Sequence, residues 1–465
     1  MPYLAIILML FFALIGCTAG SESKEAFNIV LITIDTLRAD HLSCYGYHRK
    51  TSPVIDSIAA KGILYKNAIA PCSWTSPSMA SLFTSVYPTN HGVIHGLGYR
   101  KDVTLYVQEI FSEQLTTLTE ALKAQGYTTF GVASNLALGE KFGFGRGFDH
   151  FECLDGQPAV NVNKVLYQWE DAIRKSAKFF IWVHYFDPHA PYFSRSPWID
   201  EYSPRELTQK LGFFKTSFQD LVKRIPELEQ NRDMLGNLVA LYDSEINYVD
   251  SFVGEFINKY KFGEDTLLII TSDHGEGFLE HHLLGHGNSL HQESICIPLI
   301  IKLPGSHQKE IDERYVTLLD IMPTILDLLG SDSPDHIRGT SILPEKQLFP
   351  LLSQLLPWKH ETRDAFSELH ALSLKTIVSS GWKYLYSYTD GRESLYNIEN
   401  DPLERTNLIA KEEERGRSLK TTLLNWAAQA KKYPTTRNER LLSKEEQEKL
   451  EALGYAGTIV KDKIK

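Results

Sequence analysis

Asn28-Ile29-Val30-Leu31-Ile32-Thr33-Ile34-Asp35 is an almost unbroken apolar run, rich in β-branched side chains and closed by an acid. A strand with one wet face would alternate; a run without alternation predicts a strand buried on both faces of a parallel sheet. The pattern returns three times. Thr128 to Ala133 ends at Ser134-Asn135, Phe179 to Val183 leads through His184 to Asp187-Pro188-His189, and Thr266 to Ile270 ends at Thr271-Ser272-Asp273-His274. Each run delivers polar residues at its carboxyl end, the edge where open α/β sheets bind ligands.

Helical spacing fills the intervals: Pro53 to Lys61, Leu115 to Gln125 stopped by Gly126, Met234 to Tyr260, and Val316 to Leu329 ended by Gly330. Alternating strands and helices predict a doubly wound α/β domain with a large, mostly parallel sheet. Ser194 to Asn231, charged and poorly periodic, reads as an insertion over the sheet edge, and the Pro-rich Ser333 to Pro357 reads as a connection. Leu374 to Ser379, Trp382 to Tyr388 and Glu393 to Ile398 are short runs split by Ser-Gly and Asp-Gly turns, a hairpin signature. They predict a small antiparallel sheet, followed by helices near Leu419 to Lys431 and Ser443 to Leu453.

The 465 residues, 43% hydrophobic, suffice for a sizeable core, which excludes a disordered chain. A net charge of -10 argues against a nucleic-acid partner, whose binding needs clustered Lys and Arg. The apolar Tyr3 to Ile15 is short for a membrane span and reads as an export signal. With Leu14-Ile15-Gly16-Cys17 it resembles a bacterial lipoprotein signal, although no Lys or Arg precedes it; an uncleaved anchor or a plain signal peptide are the alternatives. The expected division is a signal at 1–17, a tether at 18–26, a catalytic domain at 27–357 and a C-terminal subdomain at 358–465. The expected location is the cell envelope, periplasmic or lipid-anchored, with membrane association through the N-terminus.

Ser73-Trp74-Thr75-Ser76-Pro77-Ser78-Met79 reads as a helix start, Ser76 capping and Pro77 at the first helical position, and Pro88 stopping the helix. Thr75 then lies ahead of a helix N-terminus, where amide N–H groups and the dipole favour developing negative charge. It is a candidate nucleophile. Asp273-His274-Gly275-Glu276 places a carboxylate and an imidazole on a strand-to-loop turn, where both can converge on one cation. Asp35, Asp273 and His274 with the Thr75 hydroxyl would hold a hard or borderline divalent ion (Ca, Zn or Mn), which would lower the hydroxyl's pKa. His281, His282 and His291 read as exposed loop imidazoles, and Glu276 as a partner of a ligand rather than a ligand.

At these residues the chain resembles the sulfatase family of the alkaline phosphatase superfamily. The resemblance is carried by Ile34-Asp35-Thr36-Leu37-Arg38-Ala39-Asp40-His41, by Thr75 to Pro88, by Phe186-Asp187-Pro188-His189-Ala190-Pro191-Tyr192, by Thr271 to Glu276, and by Gly285-His286-Gly287. Gly381-Trp382-Lys383-Tyr384, Leu395-Tyr396-Asn397 and Asn400-Asp401-Pro402 are similar to that family's C-terminal subdomain. The resemblance implies an alkaline-phosphatase-like α/β sandwich, a metal-assisted nucleophile and hydrolysis of sulfate or phosphate esters; the threonine resembles the nucleophile of the superfamily's phosphodiesterase and phosphotransferase branches, which often use two metals, so Asp187, His189 and His286 would supply a second ion site, or His189 and His286 would instead hydrogen-bond ester oxygens together with Asn135. Five positions depart from the family pattern. Thr75 stands where Cys or Ser becomes formylglycine and cannot yield that aldehyde, so no formylglycine is expected. Met79 replaces the Arg that orients the nucleophile, Ser134 and Leu136 replace a sulfate-binding Lys and His, and Thr36 replaces a second metal-binding Asp. Two readings follow: a metal-dependent hydrolase acting on a small-molecule, glycan or lipid ester through Thr75, with phosphoryl chemistry favoured, or an inactive relative that binds sulfated or phosphorylated glycans or lipids.

Overall fold

The computed structural model describes residues 27–94, 97–100, 105–203, 215–216, 218–343, 365–369, 374–441, 443–444 and 456–457. The expected export signal and tether lie outside these residues, as do most of the helix expected at Ser443 to Leu453 and half of the Pro-rich connection.

The main sheet has eight strands: β1 (Asn28–Ile34), β2 (Ile63–Ile69), β3 (Thr128–Ala133), β4 (His150–Cys153), β5 (Phe179–Tyr185), β6 (Thr266–Ser272), β7 (Cys296–Lys302) and β8 (Glu310–Thr317), in the order β8-β2-β7-β6-β1-β5-β3-β4. The four apolar runs are thus adjacent, and they run parallel. Strand β7 is antiparallel to both β6 and β2. Two reversals restore direction, so the chain leaves β2 at the same edge where β1 and β6 end and enters α1 (Thr75–Thr84) there.

Side chains alternate across β1 into two different cores. Ile29 and Leu31 pack with Met79, Leu82 and Phe83 of α1 on one side. Val30, Ile32 and Ile34 pack with Leu238, Leu241 and Val249 of the helix α2 (Arg232–Tyr260) on the other. Apolar layers on both faces are the physical reason that the strand shows no alternation. Four antiparallel strands at Ala365–Leu369, Leu374–Ser379, Trp382–Ser387 and Glu393–Asn397 form a smaller sheet, against which Leu423 of the helix α3 (Glu413–Ala428) packs on Ile377, Tyr384 and Leu395. Beyond it Thr436–Leu441 returns to pair with Leu105–Ile110.

Three local readings are corrected. Helix α1 starts at Thr75, with Trp74 extended and no side-chain cap, so Thr75 is the first helical residue, Ser76 does not cap and Pro77 is third rather than first. Ser85, in the left-handed conformation, ends α1, and Pro88 opens a separate turn at Pro88–His91. Val316 and Thr317 finish β8, where their β-branched side chains fit; Thr317 and Asp320 then form a capping box, and the helix spans Ile321–Leu328.

Candidate active site

Five chain segments end at one edge of the sheet. Strand β1 delivers Asp35, β6 delivers Asp273 and His274, β3 delivers Asn135, β5 carries His184 near its end and leads to His189, and the turn after β2 delivers Thr75. Apart from His189, at 4%, none of these side chains is more than 1% exposed.

Thr75 Oγ1 lies 3.1 Å from His274 Nε2. The other imidazole nitrogen, Nδ1, donates to the Gly275 carbonyl at 2.9 Å, so Nε2 presents a lone pair to the hydroxyl. Ser78 Oγ donates to the Asp273 carbonyl at 2.6 Å and pins the first turn of α1 to the end of β6. Both site carboxylates have one oxygen committed and one open. Asp35 Oδ2 accepts from Asn135 Nδ2 at 2.7 Å and lies 3.3 Å from His184 Nε2. Asp273 Oδ1 accepts from the Thr36 and His274 amides at 3.1 and 2.9 Å. Asp35 Oδ1 and Asp273 Oδ2 are buried without a hydrogen-bond partner, 3.9 and 3.3 Å from His274 Nε2.

Buried anionic oxygens left open are costly unless a cation neutralises them. Burial first, and then the Asp273 charge, push Asp35 up to about 7. Burial works the same way on Asp273, but His274 and His184 outweigh it and hold that carboxyl below its usual value. Two carboxylate oxygens, an imidazole nitrogen and a hydroxyl facing one space suit a divalent ion, so the residues fit the expected metal. Thr36 has φ 55°, a strained backbone for a β-branched residue, and this conformation aims its amide at Asp273.

His286 comes from a distant loop yet joins the group. Its ring centroid is 4.5 Å from that of His274 and 4.8 Å from that of His189. The loop is tied to the segment that carries Thr75, since the Gly287 amide donates to the Ser73 carbonyl at 2.7 Å. Glu276 behaves as the sequence predicts, as a partner: Oε1 is 3.0 Å from His286 Nδ1 and Oε2 accepts from Tyr192 at 2.9 Å. Burial pushes His286 down to about 4 and lowers His189 as well.

Other placements differ from expectation. Asp187 does not join His189 and His286; its carboxylate accepts from Arg195 at 3.0 Å and from the Ala159 amide at 2.8 Å. Asn135, expected on an ester oxygen, holds Asp35 and caps the following turn through Ala137. His281 and His291 are not exposed loop imidazoles. Their rings stack at 3.7 Å, His281 pairs with Glu293 at 2.8 Å, and Lys383 pairs with Glu404 beside them. His281, His291 and Glu404 offer ligand atoms within 4.8 Å of one another, but both His281 nitrogens are taken by Glu293 and the Glu404 carbonyl and Lys383 already neutralises Glu404, so this cluster reads as an ionic clasp. His282 alone of the three is exposed. Reading by strand ends missed His184, whose signal was a polar residue inside an apolar run.

The family model described as Sulfatase matches residues 27–331, and that described as N-sulphoglucosamine sulphohydrolase, C-terminal, matches residues 280–429. An arylsulfatase of Clostridium perfringens is 24% identical, over 84% of this chain and 92% of that protein. A delta 4,5-hexuronate-2-O-sulfatase of Bacteroides thetaiotaomicron is also 24% identical, over 84% of this chain and 86% of that protein. The crystal structure of a phosphonate monoester hydrolase of Agrobacterium radiobacter superposes with a TM-score of 0.65 at 21% identity, over 90% of this chain and 97% of that one, a likeness of fold.

Proposed function

The chain belongs to the sulfatase family of the alkaline phosphatase superfamily, and from that premise we propose a metal-dependent ester hydrolase in which Thr75 is the nucleophile and phosphate or phosphonate esters are the substrates. The observation that carries this reading is the Thr75 hydroxyl 3.1 Å from the His274 lone pair, beside the open oxygens of Asp35 and Asp273. Asp35, Asp273 and His274 would hold the ion with Thr75. Once bound, it would lower the hydroxyl's pKa and offset charge developing on the ester.

Thr75 Oγ attacks phosphorus as the bond to the ester oxygen breaks, giving a phosphothreonine and an alcohol; water then cleaves the phosphothreonine. His189 and His286 face the ester, and Trp74 closes one side, its ring 5.4 Å from that of His286. Phosphorus is favoured over sulfur because Thr75 cannot become formylglycine, and because Met79, Ser134 and Leu136 offer no cation to a sulfate group. Export through the N-terminal signal with lipid attachment at Cys17 completes the proposal; an unchanged membrane association of a Cys17→Ala variant would remove that part.

The test is an acid quench during turnover of phosphodiester, phosphonate, phosphomonoester and aryl sulfate panels, with peptide mass spectrometry. A phosphoryl group on Thr75 is expected. Turnover without any covalent adduct would reject the nucleophile, and turnover of aryl sulfates alone would reject the substrate class.

A further inference from the structure

Beside Asp35, three fully buried polar groups follow one another across β1 and β5. Trp182 Nε1 is 3.0 Å from Thr33 Oγ1, Thr33 Oγ1 is 2.8 Å from His184 Nδ1, and His184 Nε2 is 3.3 Å from Asp35 Oδ2. The parallel register that pairs Thr33 with His184 creates the line.

An indole N–H only donates, so Thr33 Oγ1 accepts from Trp182. A carboxylate oxygen only accepts, so the proton of a neutral His184 belongs on Nε2, and Nδ1 accepts from the threonine O–H; the Val183 carbonyl, at 3.3 Å, is the longer alternative for that proton. Asp35 Oδ2 therefore receives two donors, His184 and Asn135. Asp273 Oδ1 likewise receives two backbone amides. Each carboxylate is left with one oxygen for an ion. Calcium takes six to eight oxygens and commonly bidentate carboxylates, whereas zinc is satisfied by about four donors that include imidazole.

We propose that Trp182, Thr33 and His184 form a directional hydrogen-bond relay ending on Asp35 Oδ2, which makes His184 a positioning residue that restricts Asp35 to one ion-facing oxygen and biases the site toward zinc-like ions over calcium. The proposal rests on the metal reading above. His184 is then not a ligand, although its nitrogen lies within 4.8 Å of oxygens of Asp35 and Asp273.

Isothermal titration of the purified full chain with zinc and, separately, with calcium tests it. His184→Gln keeps a donor near the position of Nε2 but ligates poorly; His184→Leu keeps bulk and removes the donor. Zinc affinity in His184→Leu is expected to fall about 10- to 100-fold, with a smaller loss for calcium because Asp35 Oδ2 then keeps only the Asn135 bond and has a lone pair left for the ion. His184→Gln should stay within about threefold of the parent, below that range. Equal loss of zinc in both variants would make His184 a ligand and overturn the relay, and so would unchanged affinity in His184→Leu. If the leucine variant does not fold, Thr33→Val carries the test through the same zinc-to-calcium ratio, and an unchanged ratio overturns the relay. Zinc binding that Asp273→Asn leaves intact would instead reject the ion site itself.

Discussion

Thr75 Oγ1 stands 3.1 Å from His274 Nε2, and the carbonyl of Gly275 orients that imidazole from behind. The contact makes Thr75 separable from mere packing. Thr75→Val keeps the volume and removes the oxygen, so ester cleavage should fall by about 10³-fold or more while the fold survives. Thr75→Ser retains an oxygen and should keep a measurable fraction of kcat. A valine variant that still turns over at a tenth of the parental rate would mean another group attacks.

The paired acids predict an inversion between stability and function. Burial and Asp273 raise Asp35 to about 7, above the unfolded value of 3.8. The folded apoprotein therefore holds a proton there that the unfolded chain releases, and ionising the group costs stability as pH climbs between those two values. Asp35→Asn removes that cost. The apo variant should melt above the apo parent at about pH 8, with the gap narrowing toward about pH 4. Adding zinc should narrow the gap, because only the parent gains about 2.7 kcal/mol at a hundredfold excess over Kd, and should reverse the order at an excess well beyond about a thousandfold. Scanning calorimetry with and without chelator reads both signs; a variant stabilised by zinc as much as the parent would contradict the assignment of Asp35.

The sequence made the sheet legible because its four central strands are buried on both faces, and that environment writes itself as unbroken apolar runs. Asp35, Asn135 and Asp273-His274 were legible for the same reason, as polar residues where such runs stop. His184 was not, since its meaning depends on lying beside Thr33, and strand register is absent from a single sequence. The Glu404 contact with His281 and Gln292 joins positions more than a hundred residues apart, with no local signal. Val316-Thr317 misled because β-branched residues fit a strand end and a helix start alike until pairing with β2 decides.

Gly287 marks where the His286 loop meets the segment that carries Thr75. Its φ is +69°, and a Cβ built there would sit 2.2 Å from Cε3 of the Trp74 ring. Gly287→Ala should therefore cost more than the roughly 1–2 kcal/mol of a left-handed alanine, because Trp74 or the loop must move. Gly46→Ala is the control, with φ +99° and nothing within 4 Å of the added carbon. Urea melts should separate the two, and kcat should fall only in Gly287→Ala. Equal destabilisation with unchanged kcat would show that the loop contact does not serve the site.

The clasp beyond that loop gives the last prediction, and its sign follows from hydrogen bonding. His281 is bounded by Glu293 at 2.8 Å, the Glu404 carbonyl at 3.3 Å and the stacked ring of His291, with Lys383 and the Glu404 carboxylate facing it from the C-terminal sheet and its loop. Burial opposes a charged imidazole, but the Glu293 hydrogen bond and charge outweigh it and raise the pKa of His281 above 6.5. Burial and the nearby Lys383 push His291 down to about 3, so the stack pairs a cation with a neutral ring. A raised folded-state pKa means that the stabilisation is fully present below about pH 6.5 and fades as pH climbs through the folded value. His281→Gln can still donate to Glu293 but carries no charge. The gap in urea midpoint between parent and variant should therefore be widest in mild acid and shrink above neutrality. Glu293→Gln should show the same profile, since it removes the opposite member of the pair. A gap that stays constant with pH would show that the residues serve packing alone and that no charge is held in the clasp.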